Sequence, residues 1–246
     1  MSANGKEKII EYLKSNILVT DGAMGTYFAS LYDTKEPPEY CNIKDSKKIY
    51  DIHRQYIENG AKIIRTNTYA CNTFTLNYGI EDVKESIKCA CKIAREAANE
   101  HEDIFIAGDI GPITYNHNDM QKQVSDEYVV IAKTMIESGV DAIVFETFPD
   151  MDDIKEALKY IAEKGNIFVI VQFAVNQFGY SNSGLSAKKL ISDALDCEYT
   201  DAAGLNCGVG PGHMYGIFEK LGINTAKYLT ALPNAGYPQS VSNRMV

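Results

Sequence analysis

The feature that most constrains this chain is an alternation. Short runs rich in Val, Ile and Phe are followed, again and again, by longer segments with apolar residues at helical spacing. The strand-like runs are ILVTD from residue 17, KIIRTN from 62, IFIAGD from 104, AIVFET from 142, FVIVQFAV from 168, AAGLN from 202 and KYLTAL from 227. Helical spacing fills 45–61, 83–100, 125–140, 151–165, 186–197 and 212–222, and several of these segments close on Gly, as helix C-termini often do. A strand followed by a helix, repeated in this way, specifies parallel βαβ units.

A doubly wound sheet and a barrel both satisfy that alternation. The first strand-to-helix turn, DGAMGTYF, lacks the full G-x-G-x-x-G fingerprint of dinucleotide-binding sheets, which favours the barrel. With 246 residues and no low-complexity linker, the expected fold is α/β, a single (β/α)8 TIM barrel over 1–246. About seven of its eight strands are present, so the domain is expected to lack the final βα unit and to leave open edges.

Charge narrows the partners. The chain has 33 acidic against 24 basic side chains and a net charge of −9, with no Lys/Arg block, which argues against nucleic acid and anionic membranes. The N-terminus mixes charges through its apolar residues and no 18-residue apolar stretch occurs, so a soluble, cytoplasmic protein is expected. Six cysteines, at 41, 71, 89, 91, 197 and 207, are too sparse for a disulfide framework.

In a parallel barrel the chemistry sits where strands end. Here those ends carry Asp21, then Thr66, Asn67 and Thr68, then Asp109, then Glu146 and Thr147, then Gln172 and Asn176, then Asn206 and Cys207, and finally Asn234. All are expected to face one mouth. Asp21 and Glu146 border apolar strands, a costly placement unless each is solvated, hydrogen-bonded or paired with a cation. An ammonium ligand satisfies both; a turn cap for Asp21 and backbone amides for Glu146 are the alternative. The turn at Gly22 and Ala23 offers N–H groups to a carboxylate. Thr66, Asn67 and Asn206 either orient these groups or cap the following loops. Tyr27, Phe28, Tyr69 and Phe148 form an apolar lining there or are ordinary packing. Cys207 reads either as a small buried hydrophobe or as a metal ligand. Cys89 and Cys91 point to different faces of a helix, Cys197 sits at the far end, and nothing in the spacing brings Cys41, Cys71 or His213 to Cys207.

Taken together, ILVTDGAMGT (17–26), GAKIIRTNTY (60–69), GDIGP (108–112), VFETF (144–148), GLNCGVGPGHM (204–214) and PNAG (233–236) resemble the homocysteine S-methyltransferase family in this order. That family includes the N-terminal part of cobalamin-dependent methionine synthase and enzymes using betaine or S-methylmethionine. Within it, NCGVGPGHM and the short loops are most similar to bacterial proteins in which this domain precedes a methylenetetrahydrofolate reductase domain.

The resemblance implies a barrel that transfers a methyl group to zinc-bound homocysteine, giving methionine. It implies a zinc held by three cysteines, of which Cys207 in GLNC is one and two adjacent ones belong to a GGCC motif. This sequence has no GGCC, and its two cysteines are expected beyond residue 246. Asn234 corresponds to a further zinc contact in some relatives. By the same resemblance Asp21 and Glu146 receive the homocysteine ammonium, and Gly22 and Ala23 lie against its carboxylate. Methylcobalamin, methyl-tetrahydrofolate, betaine and S-methylmethionine remain open as methyl sources.

Two rival readings stand beside it. One is a non-catalytic barrel fragment unable to hold zinc, which the absent cysteine pair favours. The other is an unrelated barrel lyase or aldolase in which Cys207 is structural.

Overall fold

The computed structural model describes residues 5–99, 101, 103–115, 118–235, 240–241 and 244–245. Glu100, the end of one expected helix, and Gly236 of the PNAG stretch lie outside them. Six strands, β1 (Ile63–Arg65), β2 (Phe105–Ile110), β3 (Ala142–Phe148), β4 (Phe168–Phe173), β5 (Ala202–Asn206) and β6 (Tyr228–Leu232), pair in sequence order. Every pairing is parallel, and the sheet curls into an open half-barrel. Two-residue strands β7 (Ser240–Val241) and β8 (Arg244–Met245) pair antiparallel, apart from that sheet.

The first expected strand is reduced to one parallel bridge, Thr20 to Ile63. Val19 O accepts from Lys62 and Ile63, and Asp21 N–H donates to Ile63 O, so the segment still follows β1. With β1 only three residues long there is little ladder to extend. Ile17 and Val19 stay exposed there, as does Leu229 on the opposite margin of the sheet.

The six expected helices appear as α4 (Ser46–Glu58), α6 (Ile80–Ala98), α7 (Gln121–Glu137), α8 (Lys155–Lys164), α9 (Ala187–Asp196) and α10 (Pro211–Leu221). Short helices α1 (Gly5–Leu13), α2 (Met24–Tyr32), α3 (Cys41–Lys44) and α5 (Thr73–Leu76) were not anticipated. Among the described residues no helix is long and apolar enough to cross a membrane.

Strand parity explains the layers. Ile64, Ile106, Ile143, Phe145, Val169, Val171, Ala203 and Leu205 pack outward against helix residues such as Ile87, Met135, Leu158 and Ile191. The alternate set, Ile63, Phe105, Ala107, Ala142, Val144, Phe168, Ile170 and Ala202, forms an inner cluster with Ile9 of α1, which covers the N-terminal end. Continuing that inner parity along each strand reaches Arg65, Asp109, Glu146, Gln172 and Asn206. The interior is therefore apolar where strands begin and polar where they end. Gly204 keeps β5 close to β6, because a Cβ there would lie 1.8 Å from Thr230 O.

His53 on α4 is fully buried, and neither ring nitrogen has a hydrogen-bond partner. Burial lowers its pKa from 6.5 to about 4. An unfolded chain takes up this proton below pH 6.5 while the folded one refuses it until about 4, so stability is complete above 6.5 and declines on acidification. Over that window the loss is about 3 kcal/mol from this residue. Thermal melts at pH 7 and pH 4.5 should show a smaller drop for His53→Leu than for the unaltered chain.

Candidate active site

The mouth of the half-barrel is organised around a residue that strand reasoning passed over. Arg65, the last residue of β1, points inward, and its Nε donates to Asp21 Oδ1 at 2.8 Å. Its backbone N–H donates to Asp21 Oδ2 at 2.8 Å, and Nη2 to Gly22 O at 2.9 Å. Nη1 donates to Glu146 Oε2. The two acids singled out from the sequence are thus joined by one guanidinium, a pairing that offsets part of the cost of their burial. The signal was present: an arginine at an inward position of an otherwise apolar strand needs buried anions around it.

Asp109 completes the cluster. Burial, with the charge of Glu146 next, drives its carboxyl well above the usual carboxylate range. Its main chain is held by Thr66 Oγ1, which accepts from Asp109 N–H at 3.1 Å, and by Thr68 Oγ1, which donates to Asp109 O at 2.7 Å.

Asn206 connects the acids to the thiol. Its Oδ1 accepts from the Thr147 N–H at 2.8 Å, and its Nδ2 donates to Thr147 Oγ1 at 2.9 Å. The same Nδ2 lies 3.4 Å from Glu146 Oε2 and 3.4 Å from Cys207 Sγ. Thr147 and Cys207 both have left-handed backbone, at φ 68° and 54°. Such conformations in residues with a Cβ concentrate at functional sites. Here the turn ends β5 abruptly and leaves Cys207 exposed at the mouth. Partial burial of its sulfur and then the Glu146 charge push the thiol up, with Arg65 opposing them, so the free side chain is a thiol at neutral pH. Cys207 N–H donates to Leu232 O and Asn234 N–H to Val209 O, each at 3.0 Å, which brings the Asn234 loop beside that of Cys207.

Other expected residues fall differently. Thr66 braces Asp109 from within the site, whereas the Asn67 amide donates to Asn42 Oδ1 of α3, in a buried network with Ser86. Ala23 precedes α2, whose N-terminus has no side-chain cap, and its carbonyl accepts from Tyr56. Phe28 and Phe148 are buried in separate apolar clusters, and Tyr27 bonds Gln55. Tyr69 remains beside the acids and is pushed up to about 12, chiefly by burial. Cys71 is buried against Ser86, while Cys89 and Cys91 lie on α6 and Cys197 follows α9.

Among the described residues no three His, Cys, Asp or Glu side chains converge on a metal position. Cys207 is a soft donor of the type zinc takes, in an accessible place, with Asn234 on the adjoining loop. The described residues therefore fit one thiolate ligand of a zinc site and do not by themselves complete a tetrahedral set.

A parallel α/β half-barrel with its polar groups gathered at the carboxyl ends of the strands defines the class of barrel enzymes that bind ligands at that face. Within this class, the sequence model of a family described as homocysteine S-methyltransferase matches residues 18–245, and the chain belongs to that family. It is 29% identical over 252 residues to methionine synthase of Mycobacterium leprae, covering 94% of this chain and 21% of that protein. Methionine synthase of Mycobacterium tuberculosis matches to the same extent. The chain thus spans about a fifth of these relatives. The metallated form of the homocysteine methyltransferase MmuM from Escherichia coli superposes with a TM-score of 0.80 at 17% identity, over 93% of this chain and 88% of that one. A 2,3-dimethylmalate lyase shares the fold at a TM-score of 0.53 and 11% identity.

Proposed function

We propose that this chain is the homocysteine-binding barrel domain of a methyltransferase that converts L-homocysteine to methionine. The observation that carries the reading is the Asn206 amide, which touches both Glu146 and Cys207. It ties an anionic site suited to an amino acid to a thiol suited to a metal. The family match and the similarity to methionine synthases support the same substrate.

In this reading Glu146 and Asp21, organised by Arg65, supply the negative field for the substrate ammonium. The substrate carboxylate lies against Gly22 and Ala23, at the uncapped N-terminus of α2, where free N–H groups favour an anion. Thr66 and Asn206 fix the acids, and Asn67 stiffens the same loop from behind. Zinc, when bound, holds the homocysteine sulfur as a thiolate at neutral pH, and Cys207 with Asn234 are the residues of this chain that would hold it. With the thiol proton already lost to solvent, the sulfur–methyl bond forms as the donor–methyl bond breaks. Methylcobalamin, methyl-tetrahydrofolate, betaine and S-methylmethionine are the candidate donors.

Elemental analysis of the purified chain tests the metal assignment. Zinc well below one per chain, abolished in Cys207→Ser, with homocysteine still bound, is the expected result, because the described residues offer one thiolate ligand. Near-stoichiometric zinc would mean that further ligands complete the site. A chain that holds little zinc and also binds no homocysteine supports the second reading, a barrel fragment without a function of its own at this mouth, which the lone thiol there favours.

A further inference from the structure

A groove apart from the acid cluster runs along α10. The loop after β4, the first turn of α9 and one face of α10 line it, and it holds about 490 Å³. Its titratable side chains are Lys188, His213 and Lys220, and among the described residues no acid lines it, in a chain of net charge −9. Phe178 and Tyr180 stand along the same groove, 75% and 50% exposed.

That exposure is built in. Asn176, expected to face the mouth, turns its amide into this loop, where Oδ1 accepts from Phe178 N–H at 2.9 Å and from Tyr180 N–H at 3.2 Å. Asn176 N–H donates to Tyr180 O and Gly179 N–H to Asn176 O, each at 2.9 Å, while Ala187 N–H donates to Gly179 O at 2.8 Å and ties the loop to α9. The two rings are thus held in place before any ligand arrives, which lowers the ordering cost of binding. Gly212 and Gly216 lie one turn apart on the groove face of α10. A Cβ at either would meet nothing within 4 Å, so packing does not demand a residue that weakens the helix. Their effect is to leave the groove open. The groove also adjoins the thiol: a Cβ at Gly208 would lie 2.2 Å from Val175 O, so the turn that follows Cys207 packs on the start of this loop.

We propose that this groove binds a flat heteroaromatic ring carrying an anionic tail, with the ring against Phe178 and Tyr180 and the anion at Lys188 and Lys220. Exposed aromatic faces stack on a ring, and a basic rim in an acidic chain selects negative charge. Two sources share this chemistry, a reduced folate with its glutamate tail and a nucleotide with its phosphates. The site does not depend on the homocysteine reading.

Equilibrium titration of the full chain with methyl-tetrahydrofolate and with ADP separates the two sources. At least one probe should bind more tightly than about 1 mM, and more weakly as salt is raised. For that probe, Phe178→Ala should weaken binding about fivefold or more through lost stacking. Lys188→Gln combined with Lys220→Gln should weaken it about fivefold. Gly216→Leu fills the groove with a better helix former, so it should block the probe without lowering the melting temperature. Binding of methyl-tetrahydrofolate alone assigns the groove to a folate, binding of ADP alone to a nucleotide, and binding of both supports the shared chemistry. Binding that ignores Gly216→Leu, or that salt leaves unchanged, overturns the proposal, as does failure of both probes to bind. Homocysteine titrated into the same samples reports separately on the reading above.

Discussion

Arg65→Met should lower the unfolding free energy by about 3–5 kcal/mol, the cost of leaving buried charges without their partner. The side chain is nearly buried and reaches Asp21, Glu146 and the Gly22 carbonyl, so its loss leaves two acids and a carbonyl without their donor. Met fills a similar volume, which separates charge from packing. Arg65→Lys should fall between, because an ammonium cannot reproduce the fork that meets two carboxylates at once. The sign with pH provides a second check. Burial already raises the Asp21 carboxyl and Arg65 opposes that rise, so without the guanidinium its folded-state pKa climbs further above the unfolded value, and the variant's deficit should shrink as pH falls toward 5 and grow as it rises. Urea denaturation at pH 5 and pH 7 measures both effects. A deficit below 1 kcal/mol at pH 7 would mean that the acids are solvated and that Arg65 is an ordinary surface cation.

Glu146→Gln should act on binding and leave the fold intact. Glutamine keeps the size of the side chain and an oxygen for Arg65, and it removes the repulsion with Asp109. What it loses is the charge that meets the substrate ammonium. Removing one partner of a buried charged hydrogen bond costs about 2–5 kcal/mol, which corresponds to roughly 30- to 5,000-fold weaker homocysteine binding. The melting temperature should change little. Equilibrium titration of homocysteine against Glu146→Gln and Glu146→Asp, alongside melting curves, separates these outcomes; a large fall in melting temperature with unchanged affinity would make Glu146 a structural residue.

Much of the site was legible because barrel chemistry collects where apolar runs stop. Asp109, Glu146, Asn206 and Cys207 were found by that rule, and the structure brings all four to one mouth. Asn67 obeys the rule by position and yet bonds Asn42 of α3, because a residue just past a strand is free to turn outward. The short helices α1 and α2 escaped for a local reason. Nine residues with mixed charge, or with aromatic and small side chains after a glycine turn, carry little periodicity. The first strand was overread for the converse reason: ILVTD has strand composition, but only one partner and a three-residue ladder to join.

The sequence by itself determined the order of strands and helices, the parallel sheet and the end of it that carries polar groups. These follow from periodicity and from short-range chain chemistry, both of which are local. Tertiary structure alone decided how the charges are shared. Arg65 meets Asp21 across 44 residues and Glu146 across 81, and Asp109 is left with an unpartnered oxygen beside them. Compensation of buried charge depends on distance through space, which the curl of the sheet sets and no stretch of sequence records.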